Sequence, residues 1–150
     1  MAVQNRVDST TVPLITSGYS FVRNADIAQN AQRTTPLLYG TVMAQIAATG
    51  LWTPFVAVNG VDGSAIPRGI YLGDEIAAAD LVAGDVEDVP ILVGGCCTVN
   101  ESEVVFDDGT LTAASVIGAA SIHAVTARMA LQQASGIFME VSIDISEFEN

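Results

Sequence analysis

The stretch "VAVNGVDGSAIPRGIYL", residues 56 to 72, sets Asn59-Gly60 and Asp62-Gly63 between two apolar runs and closes on Pro67-Arg68-Gly69-Ile70. Asn-Gly and Asp-Gly pairs tolerate the positive φ angles of tight turns, so each marks a reversal of the chain. Pro67 and Gly69 then set the entry to the next strand. The glycines Gly60, Gly63, Gly69 and Gly73 match neither a G-x-G-x-x-G nucleotide turn nor a P-loop with its lysine. The stretch therefore reads as structure rather than chemistry, with Asn59, Gly60, Asp62, Gly63 and Gly69 serving turns.

Working outward, "LLYGTVMAQIA" (37 to 47), a Thr49-Gly50 turn and "LWTPFVAV" (51 to 58) predict a hairpin. On the other side, "GIYLGDEI" (69 to 76), a polar Ala-Asp connection and "VPILVGGCCTV" (89 to 99) predict further strands, and Asp107-Asp108-Gly109 another turn. Short strands at regular spacing point to a small barrel or bent ribbon. Residues 115 to 135 are Ala-rich, with Ile122, Val125 and Met129 at i, i+3 and i+7. Ser115 as N-cap and Gly136 just past the end complete the signature of one helix. In "IFMEVSIDI" (137 to 145), Ile137, Met139, Val141, Ile143 and Ile145 share one face, which predicts a half-buried final strand. The expected fold is mainly β with one helix, an α+β chain whose 150 residues suit a single core.

Residues 1 to 36 break this pattern. They are rich in Ser, Thr, Gln, Asn and Arg, and their apolar islands, Val12-Pro13-Leu14-Ile15 and Tyr19 to Val22, follow no sustained period. A merely solvated tail has no need of Leu14, Ile15, Phe21 and Val22; a segment that orders on a partner does. The division is thus an extended arm, 1 to 36, and a domain, 37 to 150. An early strand of the domain itself is the alternative. Arg6, Arg23 and Arg33 make residues 1 to 33 net positive, whereas the whole chain carries 17 acids against 5 bases, a net charge of −12. The candidate partner-binding residues of the arm are Val12, Pro13, Leu14, Ile15, Tyr19, Phe21, Val22, Arg23 and Arg33.

The strong negative charge argues against nucleic acid, whose phosphates would be repelled. Half of the residues are hydrophobic but only 15% are charged, against about 25% in typical soluble domains. Part of the surface is therefore expected to be covered by copies of the chain or by a partner. The N-terminal "MAVQNRVDSTTVPLITSG" lacks the continuous apolar core of a signal peptide, so synthesis and retention in a cytoplasm are expected. The long uncharged runs at 34 to 61 and 109 to 127 are broken by Pro, Gly, Asn, Thr and Ser, and read as buried elements rather than membrane spans.

No catalytic constellation emerges. Cys97 with His123 is the best nucleophile-base candidate, but no third, orienting group follows by spacing. The adjacent Cys96 and Cys97 sit about 3.8 Å apart at Cα, too close for an ordinary disulfide, and a single His leaves zinc unsupported. The acidic groups "DVED" (85 to 88) and "FDDG" (106 to 109) lack the alternating ligands and terminal Glu of a calcium loop. No catalytic residue, cofactor, metal or small-molecule substrate is expected.

The order Val-Ala, an amide before glycine, Asp-Gly followed by small residues, then Gly-Ile and an apolar run resembles the central segment of lambda-like phage head decoration proteins. Gly94-Gly95 opening a strand pair and "ASGIFMEVSI" at 134 to 143 as a closing strand continue the likeness over roughly residues 37 to 145. The resemblance implies a small β-clip-like barrel that forms homotrimers on the outer surface of an expanded virion capsid and cements neighbouring major capsid protein subunits, with the arm as the capsid-binding segment. A tail-tube or head-to-tail connector subunit is the rival expectation, and a small cysteine hydrolase a third.

Overall fold

Neighbouring residues along three strands point into two different cores, and this alternation organises the chain. The computed structural model describes residues 14–56, 62–117 and 125–141. Eight strands and two helices follow in order. They are β1 (Ile15–Ile27), β2 (Val42–Gln45), β3 (Trp52–Pro54), β4 (Pro67–Tyr71), α1 (Ala78–Ala83), β5 (Val86–Asn100), β6 (Val116–Ile117), β7 (Val125–Thr126), α2 (Ala127–Ser135) and β8 (Ile137–Glu140). The fold is mainly β, with α2 its longer helix.

The expected hairpin is present. Val42–Gln45 and Trp52–Pro54 pair antiparallel, with Gln45 opposite Trp52. β4 adds to the other side of β2, and β5 to β4 through Ile70 opposite Leu92. β5 also pairs along its length with β1, antiparallel, while Ile27 at the end of β1 meets Trp52 of β3. The pairings thus run β1-β3-β2-β4-β5 and return to β1. β8 extends the sheet in parallel beside the far end of β5, from Cys97 opposite Ile137 to Asn100 opposite Glu140. Gly94-Gly95 lies inside β5 rather than opening a strand, at the place where β5 exchanges β4 for β8 as its neighbour.

Val42 and Ala44 of β2, Ile70 of β4 and Leu92 of β5 join one core with Leu131 of α2 and Ile137 of β8. Met43, Tyr71 and Ile91, their immediate neighbours in sequence, join the other with Ile27, Trp52 and Leu81. Each fully buried side chain of this size contributes about 1.5–3 kcal/mol.

Three expectations need correction. The segment from Leu14 onward does not stand apart from the domain: Leu14 and Ile27 are core residues, and residues 15–27 form a strand of the common sheet. No structural boundary falls at residue 36. The helix expected over 115 to 135 begins only at Ala127, capped by Thr126, whose hydroxyl accepts from the Met129 N–H. Val116–Ile117 and Val125–Thr126 form a small antiparallel ladder instead. β-branched residues at 116, 117, 125 and 126 favour strand over helix, and Ser115 closes a turn by accepting from the Thr112 N–H. The buried helical face is accordingly Ala127 and Leu131, while Met129 is exposed; Ile122 and His123 lie outside the described residues. Gly136 does end α2, in the left-handed conformation. Finally, the Ala-Asp connection contains the short helix α1, whose Leu81 is buried. In the closing strand, Ile137 and Met139 are buried as expected, Val141 is exposed, and residues 142–145 lie outside the described region.

Candidate functional site

The conspicuous surface feature is β1. One edge of this 13-residue strand is bonded to β5, and among the described residues its other edge is paired only at Ile27. Its side chains are exposed on both faces over most of its length: Tyr19 at 72%, Phe21 at 55%, and Val22 and Arg23 likewise open to solvent. Three register shifts, one of them between Phe21 and Val22, interrupt its ladder with β5. An edge strand carrying large apolar side chains and unpaired backbone groups is a template for another strand.

The structure sorts the residues expected to bind a partner. Tyr19, Phe21, Val22 and Arg23 are brought together on β1. Leu14 is buried in the core and Ile15 packs against it, so both hold the strand in place. Arg33 is engaged within the chain: its two terminal nitrogens meet both Asp107 carboxylate oxygens at 2.6 Å, and its guanidinium also donates to the Thr35 and Pro36 carbonyls. With 5% of its side chain exposed, Arg33 has little to offer a partner. Val12 and Pro13 lie outside the described residues.

The turn residues separate in the same way. Gly63 has φ +103°, and a Cβ there would lie 2.5 Å from the Gln45 carbonyl oxygen. Asp62 fixes this turn by accepting from the Ser64 N–H at 3.0 Å and the Ser64 hydroxyl at 2.6 Å. Those bonds hold its carboxyl below the ordinary 3.8. Gly69 is not a turn residue. It lies within β4, where a Cβ would sit 2.6 Å from the Leu92 carbonyl oxygen, so it serves a close strand approach. Asn59 and Gly60 lie outside the described residues.

Cys97 is a core residue with 1% exposure, and burial pushes its thiol up, away from the reactive thiolate. Its neighbour Cys96 is exposed. Among the described residues no group of three or more His, Cys, Asp or Glu gathers to hold a metal, and no helix is long and apolar enough to cross a membrane. Sequence reasoning missed Arg68, which a bulge in β4 presents beside a groove. Its signal is the Pro-Arg-Gly order at the start of a strand. Compared with protein-family models and with curated proteins, the sequence matches none.

Proposed function

We propose that the chain is a non-enzymatic structural protein of a virus particle: a homotrimeric decoration, or cement, protein that binds the outer surface of an expanded icosahedral capsid and ties neighbouring major capsid protein subunits together. The observation that carries the reading is the open, apolar edge of β1. A capsid strand that pairs with this edge satisfies its backbone groups, while Tyr19 and Phe21 fill pockets on the partner and Arg23 meets a carboxylate. The circuit of strand pairings supports a small β-clip-like barrel as the body that carries this edge. Each edge gives a modest contact, and three on one trimer reinforce one another by raising local concentration. The low share of charged residues agrees with a protein covered by its copies and its capsid.

The test uses the full chain with Tyr19→Ser and Phe21→Ser together. Both side chains are exposed, so folding and oligomer mass should match the wild type in circular dichroism and light scattering. Co-sedimentation with expanded capsids should fall at least about tenfold, as for loss of aromatic anchors at a contact. Full decoration by the folded double variant overturns the β1 assignment. A wild-type protein that is monomeric and binds no capsid overturns the reading as a whole.

A further inference from the structure

A second surface lies on the opposite side of the 62–67 turn. In the β2–β4 ladder Met43 faces Gly69 and Ala44 faces Pro67, so Arg68 is the additional residue of a bulge, and its side chain is exposed. Bulges re-aim a side chain away from the regular ladder. Here Arg68 lines a groove of about 560 Å³ with Gln45, Ile46, Gly63 and Ile66, and is the one charged residue of its lining. Two turns form the wall and are tied together: the Ala47 N–H donates to the Asp62 carbonyl at 2.8 Å, and the Gln45 amide donates to the Gly50 carbonyl at 2.8 Å. The groove is thus a fixed feature of the fold. Arg33 and Arg128 are each paired with a carboxylate, whereas Arg68 has no ion pair among the described residues.

An apolar wall beside one exposed guanidinium complements an extended segment that carries both carboxylates and large apolar side chains. The chain's own closing sequence, "IDISEFEN" at 143 to 150, has this composition, with Glu147 and Glu149 on either side of Phe148. The same chain is poorly placed to supply it. β8 runs parallel to β5, from the level of Cys97 to that of Asn100, and so travels away from the level of Leu92, where β4 pairs. A return to Arg68 needs a reversal and then roughly 20 Å of extended chain, at about 3.3 Å per residue.

We propose that this groove binds residues 143–149 of a neighbouring copy of the chain, Phe148 lying on Ile46 and Ile66 and an adjacent glutamate pairing with Arg68. The contact rests on the homo-oligomer part of the reading above and is independent of the capsid. It joins a charge-assisted, fork-shaped hydrogen-bonding group to an apolar anchor, the combination that fixes both register and residence time.

The experiment compares three full-length proteins by light scattering across a dilution series: wild type, Arg68→Glu, and a tail variant with Glu147→Gln, Phe148→Ala and Glu149→Gln. Each variant should dissociate at a concentration at least about tenfold above that of the wild type. A fluorescent peptide of residues 142–150 should bind the tail variant saturably, more weakly as salt rises, and should lose that binding when Arg68→Glu is added. Arg68→Gln serves as a second substitution, with circular dichroism showing which proteins are folded. A trimer that resists dilution equally in all three proteins overturns the contact while sparing the homotrimer. A wild type that is monomeric at every concentration overturns both. Peptide binding that ignores Arg68 overturns the groove, and peptide binding with unchanged trimer stability assigns the groove to an acidic segment of another protein, which also overturns the proposal.

Discussion

Gly63 shows how one residue can fix a junction between two turns. Its φ of +103° lies where side chains other than glycine are strained, and its α-carbon is held against the Gln45 carbonyl at the end of β2. Any Cβ would have to displace backbone that is itself bonded, because Ala47 donates to Asp62 across the same junction. Gly63→Val should therefore destabilise the protein by at least about 1–3 kcal/mol, the usual cost of forcing a branched residue into a sparsely populated backbone region. Urea unfolding reads this as a lower midpoint at unchanged slope; an unchanged midpoint would contradict the geometry. Gly69→Ala tests a different cause. Its backbone is unstrained, and the penalty comes from crowding: the new methyl carbon would sit 2.6 Å from the Leu92 carbonyl oxygen and 3.0 Å from the Ile91 and Trp52 side chains. The sequence points to glycine at both positions without distinguishing a turn from a close strand approach, since that difference depends on which distant strand lies alongside.

Elements with one buried face are legible in the sequence, and those without are not. β2, β3, β4, β5 and β8 all bury residues against a core, so their apolar runs and alternation are visible, as are the Gly50 and Asp62-Gly63 turns and the Gly136 helix stop. β1 is obscured because it exposes both faces, which removes the period-2 pattern; its β-branched and aromatic residues are the remaining signal. The helix reads as too long because the small residues ahead of α2 suit helix as well as strand, and because the stripe through Met129 is exposed. Arg33 looks free for a partner because Asp107 lies 74 positions away, a pairing no local pattern reveals. The two acid-capped turns carry a pH prediction. Asp62 accepts from Ser64 and Asp108 from Thr110, and these bonds hold both carboxyls below the ordinary 3.8. A carboxyl lowered in the folded state stabilises it above the unfolded value, and that contribution is lost as pH falls through the folded value. Asp62→Asn and Asp108→Asn remove the ionisation, so the stability gap between wild type and double variant should be larger at about pH 6 than at about pH 2.5 in denaturant titrations. A gap that is constant with pH would show that ionisation of these turns is not linked to folding.

At the scale of the whole molecule, β1 joins two roles that a deletion cannot separate. Its outward side chains are the proposed contact with a partner, yet its backbone bonds β5 from Val86 to Val99 and its ends enter both cores. Removing residues 1 to 33 would take Leu14 and Ile27 from those cores, a loss of about 3–6 kcal/mol in burial alone. It would also strip one edge of the longest strand and leave Asp107 without its arginine. Typical domains have only about 5–15 kcal/mol of net stability, so the sum of these losses approaches the whole of it. The truncated protein should therefore lose cooperative unfolding and aggregate through the bared edge of β5, whereas Tyr19→Ser with Phe21→Ser should unfold as the wild type does. Differential scanning calorimetry on the three proteins decides the matter. A truncated chain that retains the wild-type transition would show that β1 is an appendage, and the sheet would then have to close without it.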